Sequence, residues 1–156
     1  MVLQKSIDGF LSQKKLAVIG VSRDTKQFAN YAYRFLKTHG YMVYPVNPNA
    51  EQVEGDRCFP NVTSLPEKID GALIMLPPGK AMEVLPEIIN TGIKHIWLQQ
   101  QTESQQAIQF CKKHDIDVVF GECIMMFAEP LGFPHQVHRW FKKLTGKLPV
   151  EESMHV

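Results

Sequence analysis

The sequence predicts an α/β fold: a doubly wound parallel sheet of five to six strands in three layers, with an extra C-terminal helix. Three observations predict it. Short apolar runs recur without polar alternation, as strands buried on both faces require. Segments of helical periodicity separate them. The runs end in loops rich in Gly, Pro, Asn and Gln, on the side where open α/β sheets hold ligands.

Ile7, Phe10 and Leu11 fall at helical spacing, which predicts a short N-terminal helix over one edge of the domain. Leu16-Ala17-Val18-Ile19-Gly20 reads as the first strand. Tyr31, Phe35 and Leu36 share one face of the helix that follows, and His39-Gly40 stops it. Residues 41–46 form a second, β-branched run closed by Asn47-Pro48-Asn49. Residues 51–70 are polar and irregular, with one short strand expected at 57–59. Ala72-Leu73-Ile74-Met75-Leu76 is the next strand, ended by Pro77-Pro78-Gly79. The helix after it carries Met82, Leu85, Ile88 and Ile89 and stops at Gly92. His95-Ile96-Trp97-Leu98 is followed by a helix with Ala107, Ile108 and Cys111, and Asp117-Val118-Val119-Phe120 closes the set. Val137, Trp140, Phe141 and Leu144 predict a final helix over 133–144, packed on the sheet or on a second subunit, which would make a homodimer. Strand and helix in alternation imply right-handed βαβ units and a Rossmann-like sheet. There is no fixed-period repeat.

A chain of 156 residues fits one domain, taken here as 1–156. The formal net charge of +1 and the lack of a Lys/Arg block predict no nucleic-acid partner. No apolar run approaches the roughly 20 residues of a membrane span, and residues 1–15 lack the pattern of a secretory signal. Cys58, Cys111 and Cys123 are odd in number and widely spaced, which argues against a disulfide framework. A reducing, cytoplasmic setting follows.

Ligand chemistry is expected where four strand-end loops converge: residues 20–25, 47–49, 77–79 and 99–102. Gly20 lets the chain turn sharply, Ser22 offers a hydroxyl, and the amides beyond it precede a helix, an arrangement that favours phosphate. Arg23 and Lys26 add charge-assisted contacts. The plainer reading is an ordinary strand-to-helix turn with solvated Arg and Lys. A dinucleotide fingerprint would need further glycines where Ser22 and Thr25 stand, and an acid where the second strand ends in Asn47-Pro48. That weighs against an NAD(P)-dependent oxidoreductase or redox-sensing domain, which is kept as the alternative.

Cys123 lies just past the last strand, as a thiol for exchange or, more commonly, an inert packing residue. Cys58 and Cys111 read as packing residues. Cys123, Glu129, His135 and His138 lack any metal-binding spacing, so no metal is expected. An alternative reading of His135, His138 and Arg139 is contact with an anionic ligand across a dimer interface, with Trp140 and Phe141 as core or interface anchors. Ser22 has no Gly-x-Ser-x-Gly elbow, so no catalytic residue is assigned.

Several segments together carry a resemblance. They are Gly20-Val21-Ser22, Tyr44-Pro45-Val46-Asn47-Pro48, Gly55 with Phe59-Pro60 and Ser64-Leu65-Pro66, and Gly92-Ile93-Lys94 with Ile96-Trp97-Leu98-Gln99. Across residues 14–123 the chain resembles the small stand-alone CoA-binding domain family, itself similar to the nucleotide-binding domain of the succinyl-CoA synthetase alpha subunit. The resemblance implies coenzyme A or acyl-CoA as ligand, its phosphates on the first loop, its adenine end near the Asn-Pro turn and its pantetheine along Leu76-Pro77-Pro78. The implied binding residues are Gly20, Val21, Ser22, Arg23, Lys26, Asn47, Pro48, Leu76, Pro77, Pro78 and Gln99. The chain departs from its relatives in two places. Asn49-Ala50 stands where they commonly carry a lysine, and Gln99-Gln100-Gln101 where the synthetases carry an acid. The synthetases' phosphorylated histidine sits in a second domain, so binding carries over and ligase chemistry does not. A non-catalytic carrier or sensor of CoA is expected. A third reading is a vestigial pocket on a partner-binding module that acts through its C-terminal helix.

Overall fold

The structure, a computed structural model, describes residues 4–128. The elements run α1 (Gln4–Leu11), β1 (Lys15–Ile19), α2 (Phe28–Thr38), β2 (Met42–Val46), β3 (Gln52–Val53), β4 (Asp56–Arg57), β5 (Gly71–Ile74), α3 (Pro78–Asn90), β6 (His95–Gln99), α4 (Gln105–Lys113) and β7 (Asp117–Glu122). Two 3₁₀ turns, Val62–Ser64 and Ile124–Met126, join them.

Five strands form one parallel sheet in the order β2-β1-β5-β6-β7. The apolar runs are explained by burial on both faces. Leu16, Val18, Leu73, Trp97 and Val119 face the layer of α1 and α2. Ala17, Ile19, Ala72, Ile74, Ile96, Leu98 and Val118 face α3 and α4. This is a Rossmann-like, three-layer α/β domain. After β1 the chain leaves for β2 on one side, then crosses back to β5 on the other. The order therefore reverses between β1 and β5, and a crevice opens there beyond the strand ends.

Helix α1 buries Ile7, Phe10 and Leu11, and covers the β6–β7 half of one face. Phe10 meets Trp97 edge-on at 5.4 Å between ring centroids, and the Trp97 indole donates to the Glu122 carbonyl at 3.0 Å. Helix α2 departs from the sequence expectation. Its buried face is Ala29, Asn30, Ala32, Tyr33 and Leu36, whereas Tyr31 is 56% exposed with the Arg34 guanidinium 4.7 Å over its ring. Small residues at 29 and 32 let the helix lie close to the sheet, so they and not the aromatic Tyr31 define the contact stripe.

The single strand expected at 57–59 is instead a two-stranded hairpin. Strands β3 and β4 pair antiparallel around Glu54 and Gly55, both at positive φ (52° and 77°), the geometry of a tight hairpin turn. Only Phe59 of the expected segment pairs with the main sheet, bridging Val46. The hairpin is fastened to α2 by its acids. Glu54 accepts from Asn30 (2.8 Å) and Arg34 (2.6 Å), and Asp56 accepts from Tyr33 (2.5 Å) and Lys37 (2.6 Å). Those four partners recur at helical spacing along one stripe of α2.

Strand β2 is an edge strand that carries Pro45. Along its outer side Phe59 donates to the Pro45 carbonyl at 3.0 Å, and the Asn47 amide donates to Phe59 at 2.9 Å. Among the described residues no helix is long and apolar enough to cross a membrane. The helix expected over 133–144, with Val137, Trp140, Phe141 and Leu144, lies outside the described residues, as do Glu129, His135, His138 and Arg139.

Candidate functional site

A cleft of about 480 Å³ opens at the reversal point. Gly20 and Ser22 line it from the loop after β1, Asn47, Pro48 and Asn49 from the loop after β2, and Leu76 from the end of β5. Pro60, Asn61 and Val62 close one side. Helix α3 supplies the opposite wall with Lys80, Glu83, Val84 and Glu87.

Gly20 is required by two independent constraints. Its φ is +108°, and a Cβ built there would sit 2.4 Å from the Met75 carbonyl oxygen. The loop after β1 thus passes hard against the end of β5, which brings the two strand ends to one place. Ser22 is held by its own surroundings. Its amide donates to Asn30 Oδ1 at 2.9 Å, its carbonyl accepts from Asn30 Nδ2 at 2.7 Å, and its hydroxyl accepts from the Asp24 amide at 3.0 Å. The Lys26 and Gln27 amides also turn inward, to Asp24. Asn30 is fully buried within α2. It spans from Ser22 to Glu54 and so connects the loop to the hairpin.

Asn47 is a tie between loops. Its Nδ2 donates to the Val21 carbonyl at 2.9 Å, and its Oδ1 accepts from the Asn49 amide at 2.8 Å. Val21 is buried and faces the core through its side chain. Arg23 and Lys26 are exposed on the same loop without lining the cleft. Pro77 and Pro78 begin α3, Pro77 as its cap and Pro78 as its first residue. The helix has no side-chain cap and no acid in its first turn. Pro78 has no N–H and the Ala81 amide donates to the Pro77 carbonyl at 2.9 Å, so the donors this end presents are the Gly79 and Lys80 amides, at the positive end of the helix dipole. Gln99 is buried, 4% exposed, and sits apart from the cleft, where its Oε1 accepts from the Ile124 amide at 3.1 Å.

The structure therefore brings Gly20, Ser22, Asn47, Pro48 and Leu76 together, with Pro77 and Pro78 at the adjoining helix start. Lys80, Glu83, Val84 and Glu87 were missed by sequence reasoning. Their i, i+3, i+4, i+7 spacing is itself the signal of one helix face. Lys80 pairs loosely with Glu83 at 3.5 Å, and Glu87 accepts from the Thr63 amide (3.1 Å) and hydroxyl (3.2 Å). The floor is apolar, from Ile19, Val46, Val62 and Leu76. An apolar floor with polar groups at the mouth suits a ligand with both a charged and an oily part.

Cys58 and Cys111 are buried. Burial pushes the Cys58 thiol up from its ordinary value and that of Cys111 up to about 11. Cys123 is partly exposed and does not line the cleft. Among the described residues no cluster of three His, Cys, Asp or Glu can hold a metal.

Comparison with known proteins gives concordant matches. The model of the CoA binding domain family matches residues 14–129. The chain is 33% identical over 121 residues to the acetate–CoA ligase [ADP-forming] II of Archaeoglobus fulgidus, covering 69% of this chain and 18% of the ligase. It thus spans less than a fifth of that relative. It is 29% identical over 115 residues to the uncharacterized protein YneT of Bacillus subtilis, covering 71% of this chain and 82% of that one. Among solved structures, a hypothetical protein from Pyrococcus horikoshii OT3 superposes with a TM-score of 0.73 at 34% identity, covering 78% of this chain and 86% of the other.

Proposed function

Because the chain belongs to the CoA-binding domain family, we propose that it binds coenzyme A or an acyl-CoA in the cleft between β1 and β5 and acts as a carrier or sensor. The observation that carries this reading is the meeting, at the strand-order reversal, of a loop bared by Gly20 and the uncapped start of α3. The diphosphate lies against the Gly20 turn, where no side chain obstructs it, and faces the first turn of α3, with Arg23 and Lys26 exposed farther along the same loop. The adenine end lies by Asn47, Pro48 and Asn49. The pantetheine runs past Leu76, Pro77 and Pro78. Val21 contributes its backbone position, and Gln99 acts at a distance by holding the neighbouring loop.

A binding role is favoured over a catalytic one by how the polar side chains of the cleft are engaged. The Ser22 hydroxyl accepts from Asp24, Glu83 faces Lys80, and Glu87 is spent on Thr63. The ligase chemistry belongs to the longer relatives, of which this chain spans a small part. A cytoplasmic setting goes with this reading, supported by the free thiols of Cys58, Cys111 and Cys123.

Thermal unfolding with CoA, acetyl-CoA, NAD and NADP at about 1 mM tests it. A ligand near 100 times its dissociation constant stabilises a fold by about 2.7 kcal/mol. CoA and acetyl-CoA should raise the Tm, and NAD and NADP should leave it unchanged. Silence with CoA, or a larger response to NAD, overturns the proposal. Native mass spectrometry of the freshly purified protein identifies a co-purifying ligand, and its subunit count tests the homodimer expected through residues 133–144.

A further inference from the structure

Side chains from outside the loop between β1 and α2 hold it at three carbonyls. Asn47 Nδ2 donates to that of Val21 at 2.9 Å, Asn30 Nδ2 to that of Ser22 at 2.7 Å, and Arg34 to that of Thr25 at 3.2 Å. Two of these donors, Asn30 and Arg34, also converge on a single oxygen, Glu54 Oε1, at 2.8 Å and 2.6 Å. Glu54 belongs to the hairpin turn, its side chain is 10% exposed, and it does not line the cleft. A carboxylate only accepts hydrogen bonds, so it obliges Asn30 to turn its Nδ2 toward the hairpin. Asn30 Oδ1 is thereby left to accept from the Ser22 amide at 2.9 Å. The charge of Glu54 likewise draws in Arg34, the residue that reaches Thr25. The carboxylate is itself held in place through its neighbour Asp56, bonded to Tyr33 and Lys37 on the same stripe of α2. Ser22 lines the cleft, so the chain of contacts runs from the hairpin turn to the cleft wall.

We infer that Glu54 is a positioning residue for the ligand loop: through Asn30 and Arg34 it holds Ser22 and Thr25 in the shape that receives the ligand, and so links the hairpin to the cleft. The inference rests on the proposed CoA reading. Its sign separates it from plain electrostatics. CoA is a polyanion, so removing a nearby negative charge by itself tightens binding. Removing a positioning group weakens it. Linkage is also reciprocal: a ligand that binds the clasped loop stabilises the clasp by the same factor that the clasp adds to affinity.

Calorimetric titration with CoA, well below the Tm of each variant, reads that sign. Glu54→Ala should bind CoA about tenfold more weakly than the native protein, a difference of about 1.4 kcal/mol. Glu54→Gln keeps an acceptor oxygen for Asn30 and Arg34 and should retain most of the native affinity. In the native protein, saturating CoA should slow hydrogen exchange of the Glu54, Gly55 and Asp56 amides by a similar factor. That measurement decides the matter alone should Glu54→Ala fail to fold. Equal or tighter binding by Glu54→Ala overturns the inference and leaves the CoA reading standing. So do equal losses in the two variants, or hairpin exchange that CoA does not change. If CoA does not bind the native protein, both readings fall together.

Discussion

The Asn30 side chain clasps the backbone of Ser22, accepting from its N–H at 2.9 Å and donating to its carbonyl at 2.7 Å. The asparagine is fully buried in α2, and its Nδ2 also reaches Glu54 at 2.8 Å. The shape of the candidate ligand loop is therefore set by a helix residue eight positions on.

Asn30→Ala strands the Ser22 amide and carbonyl and should cost about 1–3 kcal/mol per buried group left unsatisfied. Asn30→Asp keeps the acceptor but loses the donors and sets a second carboxyl group beside Glu54, so it should not rescue. Urea unfolding of the two variants checks both statements. A loss under about 0.5 kcal/mol, the range of ordinary surface changes, refutes the clasp.

Gly20→Ala meets the Met75 carbonyl at 2.4 Å and asks alanine to hold φ near +108°. Overpacking alone costs about 1–3 kcal/mol, and the backbone strain adds to it. Gly79→Ala is the matched control, because no atom lies within 4 Å of the new methyl and α3 gains a better helix former. The first variant should melt clearly below the native protein and the second at or above it.

Acid should loosen the hairpin before the sheet. Burial raises the Glu54 carboxyl, but the hydrogen bonds from Asn30 and Arg34 outweigh it and hold the group below its ordinary 4.5. Burial likewise raises Asp56, and the Lys37 and Tyr33 hydrogen bonds outweigh that and hold it below 3.8. Depressed folded values mean that the unfolded chain binds more protons over this interval, so stability rises with pH through it. The contribution is complete above the ordinary values and is lost as pH falls through the lower folded ones. Hydrogen exchange across β3 and β4 should accelerate in that acid window relative to β1 and β5. Equal acceleration in all four strands refutes the ordering.

Ser22→Glu places a carboxylate where the diphosphate is proposed to lie and should abolish the thermal shift with CoA. A shift equal to that of the native protein removes this loop from the binding site.

The sheet was legible because burial on both faces writes itself as unbroken apolar runs, as in Ala17, Val18 and Ile19 or Ile96, Trp97 and Leu98. The hairpin was not, since two-residue strands such as β3 and β4 are too short to show a period. The α2 stripe was misassigned for a different reason. Aromatic residues draw attention, yet Tyr31 faces outward while Ala29, Ala32 and the polar Asn30 face inward. Within the site, Gly20, Asn47 and Leu76 were readable as strand-end residues. The α3 wall at Lys80, Glu83, Val84 and Glu87 was passed over because mixed charged and apolar spacing looks like any surface helix.

The outer margin of β2 offers an incoming chain little to grip. Proline supplies no hydrogen at position 45, and the oxygen there already serves Phe59. Growth of the sheet by templating a foreign strand is thereby capped along that half of β2, which guards a concentrated solution of the folded protein against fibril seeding from this side.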